Sequence, residues 1–172
     1  MIEHRLIERM LRALHPDLEE AVAGNRLDPL RVAAAVDFIR TYADRTHHGK
    51  EEDILFAELD RRRLSEQDRR VMDELTTDHV YGRRLAGELA EANERYRLGD
   101  EAALGIVVAR LRALRDFYPA HIETEDKVFF PAARTYFTDE EDQELLARFL
   151  EFDQTMIHER YTAVVEELER WR

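Results

Sequence analysis

Cysteine is absent from the 172 residues, and that absence excludes disulfides, thiol catalysis and zinc-thiolate sites. Glycine and proline are scarce, at 6 and 4, which leaves little material for turns and sheets and favours long helices. Positive charge is in deficit. Against 38 aspartates and glutamates stand 26 lysines and arginines, a net of −12 that no basic stripe offsets, so a nucleic-acid partner is not expected. No uncharged run approaches membrane-spanning length, so a membrane partner is not expected either. The opening MIEHRLIERM is charged from its third residue and does not read as a signal peptide, which makes a cytoplasmic protein the expectation.

What the chain does have is helical punctuation. A first segment from Ile2 to about Ala23 ends at Gly24-Asn25, with a break expected at His15-Pro16. Asp28 as N-cap and Pro29 at the first helical position open a second, which should run to roughly Arg62. Ser65, with Asp68 three residues on, starts a third that closes at Gly99, and Asp100 caps the next. The fourth passes through His121 to about Phe137, where Thr138 and Glu141 form a capping box for a fifth. Long helices joined by short connections favour antiparallel neighbours. The expected fold is all-α: one domain, with an up-down four-helix bundle over residues 1–137 and a C-terminal helix over 138–172.

The chain also repeats itself. A shift of 74 residues carries His47 onto His121, Glu51 onto Glu125, Glu52 onto Asp126, Leu55 onto Phe129 and Phe56 onto Phe130. With one more residue, His4 falls on His79, each preceded by an acid, Glu3 and Asp78. Two helical hairpins related by a pseudo-twofold would put four helices around one centre.

Residues four apart on a helix lie about 40° apart around its axis, so His47 and Glu51 can reach one point, as can His121 and Glu125. The apolar periodicity turns that face inward: Val36, Ala43 and Ile54 share it with His47, and Leu114, Phe117, Val128 and Ala132 share it with His121. His79 sits with Met72, Leu75 and Ala86, and His4 with Leu11 and Ile7. Carboxylates inside a bundle are costly unless paired or metal-bound. Imidazole nitrogen with carboxylate oxygen, and no sulfur, suits iron, with manganese second, in a dinuclear site. The residues themselves thus suggest four imidazoles as terminal ligands and two glutamates bridging two metals.

The segments EHRLIERML, HHGKEEDILF, DHVYGR and HIETEDKVFFP resemble the hemerythrin-like family with the HHE cation-binding domain, in its order and approximate spacing. The resemblance covers essentially the whole chain, the fifth helix less closely. It implies metal ligation by His4, His47, Glu51, His79, His121 and Glu125, and two iron ions as cofactor. The chain departs from the oxygen-carrying members at one point: they resemble it but place two histidines four apart on the third helix, where this sequence has His79 and Arg83. The four-His, two-Glu set is closer to bacterial proteins associated with iron-centre repair and nitric oxide stress. Those typically carry a cysteine-bearing N-terminal region, and this sequence has no cysteine.

Other residues have plainer expectations. His48 and Glu52 lie about 100° round the helix from the ligand pair, so a hydrogen bond from outside the ligand set is expected of His48 ahead of a fifth imidazole ligand. Glu8 follows His4 by four and is expected in a surface pair with Arg12 rather than as a third carboxylate. Tyr118 is placed to donate a hydrogen bond to a bound ligand, and Tyr42 to pack. His158 in MIHERY would cover the open end of the site or lie exposed, and Lys50 and Lys127 read as surface residues. The leading expectation is a di-iron protein binding or reacting with oxygen, peroxide or nitric oxide; as an enzyme it would be an oxidoreductase using an electron donor the sequence does not reveal. The alternatives are an iron or oxygen sensor, which an exposed apolar patch on the fifth helix would favour, and an iron storage or delivery module.

Overall fold

Asp28 caps the second rod of the bundle as its sequence requires: its carboxylate accepts from the Leu30 amide at 2.9 Å, with Pro29 in the first turn. This contact belongs to a computed structural model that describes residues 2–24, 26–154 and 158–170. Helices α1 (Ile2–Ala13) and α2 (His15–Gly24) form the first rod, broken at Leu14 just before the His15-Pro16 pair. The second rod, residues 29–59, holds α3 (Pro29–Phe38), two π-helical stretches, π1 (Ile39–His48) and π2 (Glu51–Phe56), and a last α-turn, α4 (Ala57–Leu59). The third is one helix, α5 (Glu66–Arg97), begun by Ser65 accepting from the Asp68 amide at 3.1 Å and ended before Gly99, whose φ of 99° suits glycine.

A 3₁₀ turn (Glu101–Ala103) then leads into the fourth rod, residues 104–134, made of α6 (Leu104–Thr124), π3 (Glu125–Phe129) and α7 (Phe130–Arg134). Asp100 precedes that turn and pairs with Arg95 at 2.6 Å. At Thr138 the expected capping box forms: Glu141 accepts from the Thr138 amide at 2.8 Å and donates its own amide to Thr138 Oγ1 at 3.3 Å. Beyond it lie α8 (Asp139–Gln154) and α9 (His158–Arg170).

The four rods close a ring. The first touches the second and fourth, and the third packs against both of those neighbours as well. Along α5 the inward positions Met72, Leu75, His79, Gly82, Ala86 and Leu89 keep the helical period, and the same stripe carries the histidine between apolar residues. The apolar interior is divided in two. One cluster runs from Leu6 through Phe38, Leu89 and Leu111 to Tyr161 and Val165 of α9; the other joins Ile54, Phe56, Leu59, Met72, Leu75 and Phe129 to Leu145 of α8. On the second, third and fourth rods the chain passes from one cluster to the other through buried histidine or glutamate, so a polar belt separates them. Full burial of a Leu or Phe side chain stabilises by about 1.5–3 kcal/mol, and this is what pays for dehydrating the belt.

Among the described residues there is no strand, and no helix is long and apolar enough to cross a membrane. The chain is an all-α bundle, as expected. One local expectation was incomplete: both His-x-x-x-Glu motifs lie at or beside π-helical winding rather than in continuous α-helix. A π turn closes i to i+5 and so holds more residues than an α turn, which reduces the rotation between neighbours below the 100° of an α-helix.

Candidate metal centre

His4, His47, Glu51, His79, His121 and Glu125 all turn inward and are buried, each at most 3 % exposed. Their placement follows from the stripes just described: α1 contributes His4, π1 His47, π2 Glu51, α5 His79, α6 His121 and π3 Glu125. The imidazoles gather as two pairs, His4 with His47 at 4.7 Å between ring centroids and His79 with His121 at 5.1 Å.

The two carboxylates lie between the pairs, one oxygen toward each. Glu125 Oε1 is 3.0 Å from His121 Nε2 and 3.7 Å from His79 Nε2, while its Oε2 is 3.2 Å from His4 Nε2 and 3.9 Å from His47 Nε2. Glu51 does the same at longer range, with Oε1 3.8 Å from His47 and Oε2 3.3 Å from His79. Despite this proximity, both oxygens of each glutamate, and Nε2 of His79 and His121, have no hydrogen-bond partner among the described residues. His4 and His47 bring their Nε2 atoms within 3.1 Å of each other, a contact that needs a proton or a cation between them. Buried polar groups are rarely left so, and a ring of donors aimed at shared points fits a metal site.

The outward nitrogens are held with equal regularity. His4 Nδ1 faces Asp126 at 3.0 Å, His47 faces Glu3 at 3.3 Å, His79 faces Glu52 at 2.6 Å and His121 faces Asp78 at 3.2 Å. A carboxylate behind Nδ1 fixes its proton there and turns Nε2 inward as a lone pair, the arrangement common behind metal-bound histidine. The repeat explains the choice of acids. Glu3 and Asp78, which precede the first histidine of each hairpin, hold the second histidine of the same hairpin. Glu52 and Asp126, which follow the inward glutamates, reach across to the first histidine of the other hairpin. Phe56 and Phe130 repeat the crossing, stacking on His79 and His4. The recurring acids were visible in the sequence, but their partners depend on how the hairpins meet.

The electrostatics of the cluster follow from its burial. Dehydration would push the His47 and His79 pKa values down, but Glu51, Glu125 and the outer acids outweigh it, raising His47 well above its ordinary value and His79 to about 9. Burial would raise Glu125, yet the imidazoles around it hold its pKa well below the carboxylate range. Glu3 is likewise held at about 2, against the effect of burial, by His47 and Lys50.

Three further residues surround the cluster, and one of them, Lys50, stands differently from its expectation. His48 is buried in the π-wound stretch, and its ring stacks on His79 at 3.9 Å with both nitrogens lacking a hydrogen-bond partner among the described residues. Burial and the neighbouring cationic imidazoles depress its pKa well below the ordinary value. Lys50 is not on the surface: it donates to Glu3 at 2.5 Å and to Asp153 of α8 at 2.6 Å, because its side chain spans the gap between α1 and α8. Arg83 binds Asp44 at 2.6 Å and Glu52 at 2.7 Å, holding in place the carboxylate that faces His79.

The other residues lie beside the cluster or apart from it. Glu8 is outside the cluster, 3.1 Å from Arg5 and 3.9 Å from Arg12. Tyr42 packs against Phe38 and Tyr161, and Lys127 is exposed beside Glu123. Tyr118 is buried, its hydroxyl unpartnered among the described residues and its pKa raised by burial, then by Asp44 and Glu125. With His48, Gly82 and Arg83 it lines a cavity of about 320 Å³. A Cβ at Gly82 would sit 3.3 Å from the Phe117 ring, which stacks on His121, so a larger residue there would press on that ring. The His158 side chain lies outside the described residues.

A helical bundle enclosing a buried histidine and glutamate cluster of this kind defines a cation-binding bundle protein. The family is equally direct: the chain matches the hemerythrin HHE cation binding domain over residues 1–133 and belongs to that family. Comparison with curated proteins and with solved structures gave no significant match.

Proposed function

We propose that the protein is a non-haem di-iron protein that binds or reacts with a small oxidant, namely oxygen, peroxide or nitric oxide. One observation carries the dinuclear part: each of Glu51 and Glu125 points one oxygen at the His4–His47 pair and the other at the His79–His121 pair. A single central ion would not require that division, whereas two ions bridged by two carboxylates would. The donors would be His4 and His47 for one ion, His79 and His121 for the other, and Glu51 and Glu125 for both. Nitrogen and oxygen donors without sulfur suit iron, with manganese as the lesser fit.

An iron pair would supply the redox chemistry; the chain's residues supply the surroundings. Asp126, Glu3, Glu52 and Asp78 keep the Nδ1 protons outward and the lone pairs inward. Phe56, Phe130 and the apolar clusters on either side exclude water, and the Tyr118 hydroxyl is a buried hydrogen-bond donor in the cavity it lines with His48 and Arg83. A groove of about 930 Å³ between α8 and the bundle, with walls from Leu55, Phe130 and Phe149, reaches His47 and Glu51 and offers an approach for a small ligand. The test is anaerobic ferrous loading followed by rapid mixing with oxygen, peroxide or nitric oxide. A fast absorbance change with one of them is expected; silence with all three overturns the oxidant reading.

A second reading, an iron or oxygen sensor, is favoured by one feature. Leu146 and Leu150 of α8 are exposed beside that groove, at 49 % and 57 %, and α8 is tied to the centre through Asp153, Lys50, Glu3 and His47. A sensor predicts that metal loading changes amide exchange along α8, and unchanged exchange counts against it.

A further inference from the structure

The repeat that relates the two hairpins also relates two seams between rods, and these seams differ in charge. One, between the second and third rods, opens as the cavity of about 320 Å³ whose polar lining is Arg40, Asp44, Arg45, His48, Arg83 and Tyr118. The other, between the first and fourth rods, opens as a cavity of about 610 Å³ with Arg5, Glu8, Glu123, Asp126 and Lys127 as its charged lining. The 74-residue shift carries Arg45 onto Pro119 and His48 onto Ile122, and with one more residue Arg83 falls on Glu8. One seam thus sets three guanidinium groups against one carboxylate, and its counterpart sets two cations against three carboxylates.

In the acidic seam the cations are neutralised in place, Arg5 by Glu8 at 3.1 Å and Lys127 by Glu123 at 2.5 Å. In the basic seam Arg83 is held by Asp44 and Glu52, but Arg40 and Arg45 are exposed and pair with no acid among the described residues. Two unpaired guanidinium groups at one cavity stand out in a chain of net charge −12. The buried wall adds independent evidence. Tyr118 is 1 % exposed, yet its hydroxyl has no hydrogen-bond partner among the described residues. His48 is equally buried, and neither ring nitrogen makes a hydrogen bond there, although Nδ1 lies 3.4 Å from Asp44 Oδ1. Buried donors are seldom left unmet, and an acceptor inside the cavity would meet these. The remaining wall is apolar or bare: Ile39, Gly82 and Ala86.

We propose that this cavity binds a small organic oxoanion, a carboxylate or phosphate carrying a compact apolar group. Arg40, Arg45 and Arg83 supply the positive charge, the Tyr118 hydroxyl donates from the buried side, and Ile39, Gly82 and Ala86 leave room for the apolar group. The planar guanidinium fork matches either headgroup with paired hydrogen bonds. The equivalent seam, with its acids in excess, repels the same ligand, so binding is confined to one side of the bundle. The site does not require metal, since neither the arginines nor Tyr118 belong to the inward cluster. Its occupant nevertheless lies beside that cluster, because His48 of the cavity wall stacks on His79 at 3.9 Å.

The probes are benzoate and phenyl phosphate, with benzyl alcohol as the uncharged match, titrated into the metal-free chain and followed by the amide resonances of Gly82 and Arg83. Saturable binding of at least one of the two anions is expected, and the one that binds more tightly identifies the headgroup. Arg40→Gln and Arg45→Gln should each weaken it about tenfold, while Arg5→Gln in the equivalent seam should leave it unchanged. Wild-type binding should also weaken in about 1 M salt, where the Debye length falls to roughly 3 Å; this arm needs no variant. The proposal is overturned if neither anion saturates, if benzyl alcohol binds as well as the anions, or if salt has no effect. Equal weakening by Arg5→Gln, or full affinity in both Arg40→Gln and Arg45→Gln, would overturn it too.

Discussion

Replacing Glu125 by glutamine removes one negative charge and almost no volume at a fully buried point of the protein. In the metal-free chain the carboxylate faces four imidazole nitrogens at 3.0–3.9 Å, with His47 raised well above its ordinary pKa and His79 raised to about 9. Near neutral pH these two imidazoles are cationic and Glu125 is ionised. Breaking a buried ion pair by removing one partner costs about 3–5 kcal/mol, which for a chain of this size lowers Tm by roughly 6–20 °C. The pH dependence has a definite sign. A histidine whose folded pKa lies above its ordinary 6.5 contributes stability that is complete below 6.5 and is lost as the pH rises through about 9. Thermal melts of metal-free wild type and Glu125→Gln, followed by circular dichroism, should therefore differ most at pH 6 and converge above pH 9. An equal difference at both pH values would refute the electrostatic reasoning, because it would mean that Glu125 stabilises by packing alone.

Other outcomes follow from the same geometry. Glu52→Ala and Asp126→Ala should each weaken metal binding about 10- to 100-fold by freeing His79 and His4 to turn, as read by cobalt titration; unchanged affinity would deny those acids an orienting role. Metal loading at pH 7 should release protons, since His79 holds its proton to about 9, and a weakly buffered solution with an indicator dye detects this. Leu89→Ala, at a fully buried position, should cost about 2–5 kcal/mol in urea unfolding without altering metal content. Asp28→Ala removes the side-chain acceptor for the Leu30 amide and should cost about 1 kcal/mol in the same assay.

Much of the fold was legible because its signals are local. Asp28-Pro29, Ser65 with Asp68, Gly99, and Thr138 with Glu141 each mark a helix end through contacts within a few residues. The inward cluster was legible because a repeated pair four residues apart on an apolar stripe has few other uses. What escaped the sequence depends on contacts between hairpins. That Glu52 holds His79 and Asp126 holds His4 requires knowing which helix faces which, and that Lys50 is buried requires α8 to supply Asp153. The angle given to His48, about 100° round from His47, came from counting 3.6 residues per turn, and that count does not apply where the helix winds as π.

The central claim is that these six residues hold two metals and that the glutamates join them. The measurement that tests it most directly is iron per chain after anaerobic ferrous loading and desalting, on wild type and on Glu51→Ala. The account predicts a pair of irons in the wild type and a loss in the variant, whose bridge between His47 and His79 is gone. A wild type that retains no iron, or a variant that retains the full pair, would contradict it.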